Sequence, residues 1–127
     1  MLVTPAHLAE LLLSRVGRAP PVSSNEAELQ VYLHAHLSAL FPGATVLREY
    51  VLSKGCRPDF AIPTDAGLLV VEVKVKGSAS EVEVQLRRYA LHERVCGVVL
   101  VTTRACHTMP TIIEGKPVSV AALAMYL

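Results

Sequence analysis

Leu68-Leu69-Val70-Val71-Glu72-Val73-Lys74-Val75-Lys76 is the stretch on which the reading of this chain turns. Side chains of a β-strand alternate between faces, so Leu69, Val71, Val73 and Val75 share one wholly apolar face. Glu72, Lys74 and Lys76 share the other. A strand buried on both sides normally carries apolar residues on both, and a buried charge without compensation is costly. Something must compensate the carboxylate and the ammonium, and a hard divalent cation with a phosphate has the right chemistry. The same Glu-x-Lys spacing also describes the solvated face of an edge strand.

The residues upstream bear on that choice. Arg57-Pro58-Asp59-Phe60-Ala61-Ile62 reads as a short strand entered through a proline, and Pro63-Thr64-Asp65-Ala66-Gly67 is rich in turn formers. A hairpin follows, and antiparallel neighbours lie under about 5 Å apart, so Asp59 can face Glu72. Two carboxylates so close repel unless a cation sits between them. An oxygen cage of Asp59, Glu72, a main-chain carbonyl and water suits Mg²⁺ or Mn²⁺, with Lys74 adding positive charge for an attacking water and a developing phosphorane.

With Pro58-Asp59, twelve intervening residues and Glu72-Val73-Lys74, the chain resembles the PD-(D/E)xK nuclease superfamily. That superfamily carries its motif on a hairpin, with an earlier helix that adds an acidic residue and a later helix packed on the sheet. The earlier helix is expected at 25–40, where Leu29, Leu33, Leu37 and Leu40 mark a buried stripe. Glu26 lies on that stripe, and Glu28 points away toward Tyr32 and Ala35. Asn25-Glu26-Ala27-Glu28-Leu29 is similar to the opening helix of archaeal Holliday-junction resolvases, whose first glutamate serves the metal site. Glu26 is therefore the third acidic candidate, with Glu28 in reserve. Ser23-Ser24-Asn25-Glu26 equally matches a capping box, in which Glu26 binds the Ser23 amide.

The later helix is expected from Ser80 to about Arg94, with Gln85 and Tyr89 projecting together. They match the Gln-x-x-x-Tyr motif of exonuclease-like branches, where the glutamine borders the active site. The chain shows neither the upstream histidine motif of those exonucleases nor a helicase segment, so the resemblance is to the nuclease core. It implies a restriction-endonuclease-like fold and a nuclease using Mg²⁺ or Mn²⁺. Asp59, Glu72 and the Val73 carbonyl would hold the metal, and Glu26 a second metal or its water. Lys74 would orient or deprotonate water, and Gln85 would position the strand. Lys76, Arg57, Arg88 and Tyr89, with Gln85, would contact nucleic acid. DNA is the expected substrate, with RNA left open, and cleavage would leave 5′-phosphate and 3′-hydroxyl ends. Cutting a duplex or junction would call for a homodimer. The alternatives are a non-catalytic nucleic-acid-binding module and a scaffold whose charged strand face meets a partner.

A chain of 127 residues, 52% of them hydrophobic, is sized for one domain without an appended recognition domain. A first helix at 1–17, capped by Thr4 with Pro5 in its first turn, is followed by a linker at 18–22 and a core at 23–127. Strands are expected at 44–52, 57–62, 68–76, 97–102 and, at an edge, 116–120, before a short terminal helix. Helices flanking a mixed sheet make the fold α/β. The net charge of +1 is low for a nucleic-acid binder, although Lys54, Arg57, Lys74, Lys76, Arg87, Arg88 and Arg104 gather around the motif. No secretory or membrane segment is visible, which leads to a cytoplasmic expectation. Cys56, Cys96 and Cys106 are odd in number and unclustered, as for reduced thiols. His34 and His36 diverge on their helix, against a zinc site.

Overall fold

The structure, a computed structural model, describes residues 1–18 and 25–123. Helix α1 (Pro5–Arg18) begins where Thr4 Oγ1 accepts the His7 amide at 3.1 Å, with proline at the first turn. It continues through Gly17, one residue past the expected boundary. The remaining linker residues and Ser23 of the capping box lie outside the described residues. Helix α2 (Glu26–Leu40) is capped by Asn25, whose Oδ1 accepts the Glu28 amide at 3.1 Å, and it buries Leu29, Leu33 and Leu37.

Six strands form one mixed sheet: β1 (Leu47–Arg48), β2 (Phe60–Thr64), β3 (Gly67–Lys74), β4 (Val95–Thr102), β5 (Ile112–Ile113) and β6 (Lys116–Ala122), in the order β1-β2-β3-β4-β6-β5. The first three are antiparallel, β3, β4 and β6 run parallel, and β5 folds back on β6. Helix α3 (Ala79–Ala90) makes the crossover from β3 to β4. The alternation along β3 and β4 sorts the core into two layers. Leu69, Val71, Val73, Val99 and Val101 pack against α1 and α2, while Val70, Val98 and Leu100 pack against α3. The chain is thus α/β, a mixed sheet between helical layers.

Several boundaries differ from the sequence reading, each for a local reason. The expected strand at 44–52 shrinks to two residues because Glu49 takes a φ of 48° and gives its amide to the Asp59 carbonyl at 2.8 Å. The chain then leaves the sheet in a loop closed by Leu52 N to Cys56 O at 2.9 Å. The hairpin turn is tighter than read, since Thr64 pairs with Gly67. Gly67 is required there: its φ is 133°, and a Cβ would stand 2.6 Å from the Arg94 carbonyl oxygen. Helix α3 stops at Ala90, short of Arg94, where Lys116 Nζ donates to the carbonyls of Ala90, His92 and Val95 at 3.0, 3.0 and 2.6 Å. Strand β5 was not foreseen, and the expected terminal helix falls outside the described residues. Among those described, no helix is long and apolar enough to cross a membrane, and the three cysteines are free.

Candidate active site

Strand β3 lies between β2 and β4, so Glu72 is not on an edge. Its side chain faces α3 at 3% exposure, which excludes the solvated-face alternative. Lys74, two residues on, sets its Nζ 3.6 Å from Glu72 Oε2. Phe60 pairs with Val71, and this register brings Asp59 opposite Glu72 just beyond the start of β2. The Asp59 amide donates to Glu72 Oε1 at 3.0 Å, and the Val73 amide donates to Asp59 Oδ2 at 2.7 Å. The N–H and C=O of one residue point to the same side in an antiparallel pair, so the Val73 carbonyl also faces the Asp59 side.

Burial, then the Asp59 charge, pushes the Glu72 carboxyl up to about 8, against the pull of the Asp59 amide, Lys74 and the Tyr89 hydroxyl. Asp59 is raised as well, by burial and the nearby Glu26 charge, against the hydrogen bond from Val73. Two carboxylates that resist ionising together favour a cation between them. Their oxygens and the Val73 carbonyl suit a hard ion such as Mg²⁺, which takes one or two carboxylates and keeps several waters. Among the described residues, no group of three acidic, histidine or cysteine side chains converges tightly enough to hold a metal. Glu26, expected as a ligand, is half-buried on α2 and close enough to act on Asp59 through its charge, but it does not complete such a cluster.

The supporting contacts come from both helical layers. Tyr89 donates its hydroxyl hydrogen to Glu72 Oε2 at 3.0 Å and accepts from Gln85 Nε2 at 2.9 Å. Its ring, expected to meet nucleic acid, is turned inward at 2% exposure with Val82 and Leu86. Burial and the Glu72 charge raise its pKa, so it remains a donor. Gln85 accordingly braces Tyr89. From α2, Gln30 Nε2 donates to Asp59 Oδ1 at 3.1 Å. Sequence reasoning passed over Gln30, although it stands one turn after Glu26, the position that shares its face. His107 was also missed: buried, it bonds Thr102 Oγ1 through Nδ1 and the Gly77 carbonyl through Nε2, both at 2.7 Å. The carbonyl can only accept, so Nε2 carries the proton, and the ring ties the loop after β3 to the end of β4.

The acidic pair adjoins a groove of about 790 Å³ between the 51–57 loop and α3. Lys74, Lys76, Arg57 and Arg88 line it, the last three exposed. Glu28 and Glu26 both lie in the first turn of α2, Glu28 being the more exposed. No family model matches the chain, nor does any curated protein or solved structure.

Proposed function

We propose that the chain is a metal-dependent phosphodiester hydrolase acting on nucleic acid, most simply DNA, with a restriction-endonuclease-like core. The observation that carries this reading is the Asp59–Glu72 pair on an interior hairpin, Glu72 buried and Asp59 half-buried, with the Lys74 ammonium beside it. When bound by Asp59, Glu72 and the Val73 carbonyl, Mg²⁺ or Mn²⁺ would offset phosphate charge and acidify water. Tyr89 and Gln85 hold the Glu72 carboxylate in place, and Gln30 holds that of Asp59. Lys74 Nζ orients the attacking water and offers charge to a phosphate oxygen as negative charge develops. Arg57, Lys76 and Arg88 draw the phosphates to the groove. Cutting both strands of a duplex would require two copies.

One observation favours a rival, a non-catalytic binding module on the same fold: no third acidic side chain joins the pair among the described residues. The two separate cleanly. Wild type, Asp59→Asn and Lys74→Ala would be incubated with labelled linear, circular and branched DNA in Mn²⁺, Mg²⁺ or EDTA. The hydrolase cuts only as wild type with metal; full activity in Lys74→Ala sinks its assigned role. Binding without cleavage under every condition selects the rival.

A further inference from the structure

The groove beside the acidic pair is lined by four cationic side chains, Arg57, Lys74, Lys76 and Arg88, against one carboxylate, Glu81. Glu81 Oε1 accepts from the Ser78 hydroxyl at 3.0 Å and keeps its charge, so the cations on the lining outnumber it. Arg57, Lys76 and Arg88 make no ion pair with any described residue. Three exposed, uncompensated cations on one concave surface are a site for a polyanion. The volume of about 790 Å³ limits how much of that polyanion is seated in the groove at once. A cavity in this range encloses a ligand of drug size, which in nucleic acid means about two or three nucleotides. A duplex would have to bring two strands to a groove with volume for only about two or three nucleotides.

The rest of the lining says how the strand is read. Among the described residues, Tyr89 is the only aromatic on it, and its ring is buried, so no platform is left for a base to stack on. Gln85 gives one Nε2 hydrogen to the Tyr89 hydroxyl and is the one side-chain amide on the described lining, too little by itself to read a sequence of bases. The exposed apolar side chains on the lining are Val51 and Val84, which can touch a sugar or a base face but cannot distinguish bases. Resting on the nuclease reading above, we infer that this groove seats a short single-stranded segment beside the scissile phosphate and holds it by its phosphates, without base readout. An end, a flap or an unpaired branch is therefore the substrate that fits.

Binding in EDTA tests this without hydrolysis. Fluorescein-labelled oligothymidylate would be compared by anisotropy with an abasic strand and an oligouridylate of equal length, and with a duplex. The single strands should bind within about threefold of one another and the duplex more than tenfold more weakly. Each phosphate contact contributes about −0.7 to the slope of log K against log salt for single strands, so three cations give a slope near −2. Arg57→Gln and Arg88→Gln should each flatten it by about 0.7. Loss of more than tenfold on removing the bases, a strong preference between the two sugars, duplex binding as tight as strand binding, or no strand binding at low salt would each overturn the inference. Cleavage by wild type in Mn²⁺, run in parallel, keeps the two ideas apart. Base-independent strand binding without cleavage defeats the hydrolase and leaves the groove assignment standing; cleavage with base-dependent binding does the reverse.

Discussion

Tyr89 reaches Glu72 across the sheet–helix interface, its hydroxyl 3.0 Å from Oε2, and so gives a buried carboxylate one of its few fixed donors. Replacing it by phenylalanine keeps the packing and deletes that donor. Partners that orient a ligating carboxylate are typically worth about 10- to 100-fold in metal affinity or activity. Tyr89→Phe is expected to fold normally and to lose metal affinity on that scale, read by calorimetric titration beside a cleavage assay. Unchanged affinity would remove Tyr89 from the site.

Gln30 holds the other acid. Gln30→Ala should leave circular dichroism unchanged while lowering activity about tenfold. Gln30→Glu should be worse, because a second charge beside Asp59 adds to the one from Glu26 that already raises its pKa. Equal activity in the two variants would contradict the hydrogen bond's assigned purpose.

The acidic pair also sets a pH dependence. The Glu72 pKa is raised from 4.5 to about 8 in the fold, so its protonated form stabilises the metal-free protein. That contribution is full below the unfolded value and is lost as the pH rises through about 8. Melting temperature without metal should therefore fall from mildly acidic to mildly alkaline pH, and Mg²⁺ should reduce the fall by compensating the ionised pair. A flat profile without metal would refute this account.

Gly67 tests the hairpin itself. Its φ of 133°, and the Arg94 carbonyl oxygen 2.6 Å from where a Cβ would stand, leave no room for a side chain. Gly67→Ala should destabilise by at least about 1 kcal/mol, seen as a lower urea midpoint at unchanged slope. An unchanged midpoint would mean the turn can shift.

What the residues disclosed in advance follows from what a period can encode. The alternation read over 68–76 placed Glu72 and Lys74 on one face, which holds although β3 ends at Lys74 and leaves Val75 and Lys76 outside the strand, and the spacing from Asp59 placed the acids opposite each other, as the register has them. A period does not name the neighbour across an interface. Nothing in the sequence around Gln30 marks it as a partner of Asp59, 29 residues away. Tyr89 was paired with Gln85 correctly, but the stripe of Val82, Leu86 and Tyr89 was the sign that it turns inward. The shortened β1 depended on Glu49 adopting a positive φ, a choice that residue type rarely signals.

The hydrogen bonds from Asp59 N to Glu72 and from Val73 N to Asp59 join the two strands through carboxylate oxygens, while the Asp59 carbonyl is turned to the Glu49 amide on the β1 side. The two acids thus prolong the hairpin past Phe60 and Val71, the last pair of its backbone register. An alanine at either position would fray that end of the sheet as well as strip the site of charge. Asparagine at 59 and glutamine at 72 keep an oxygen acceptor, and so divide the loss of chemistry from the loss of a rung.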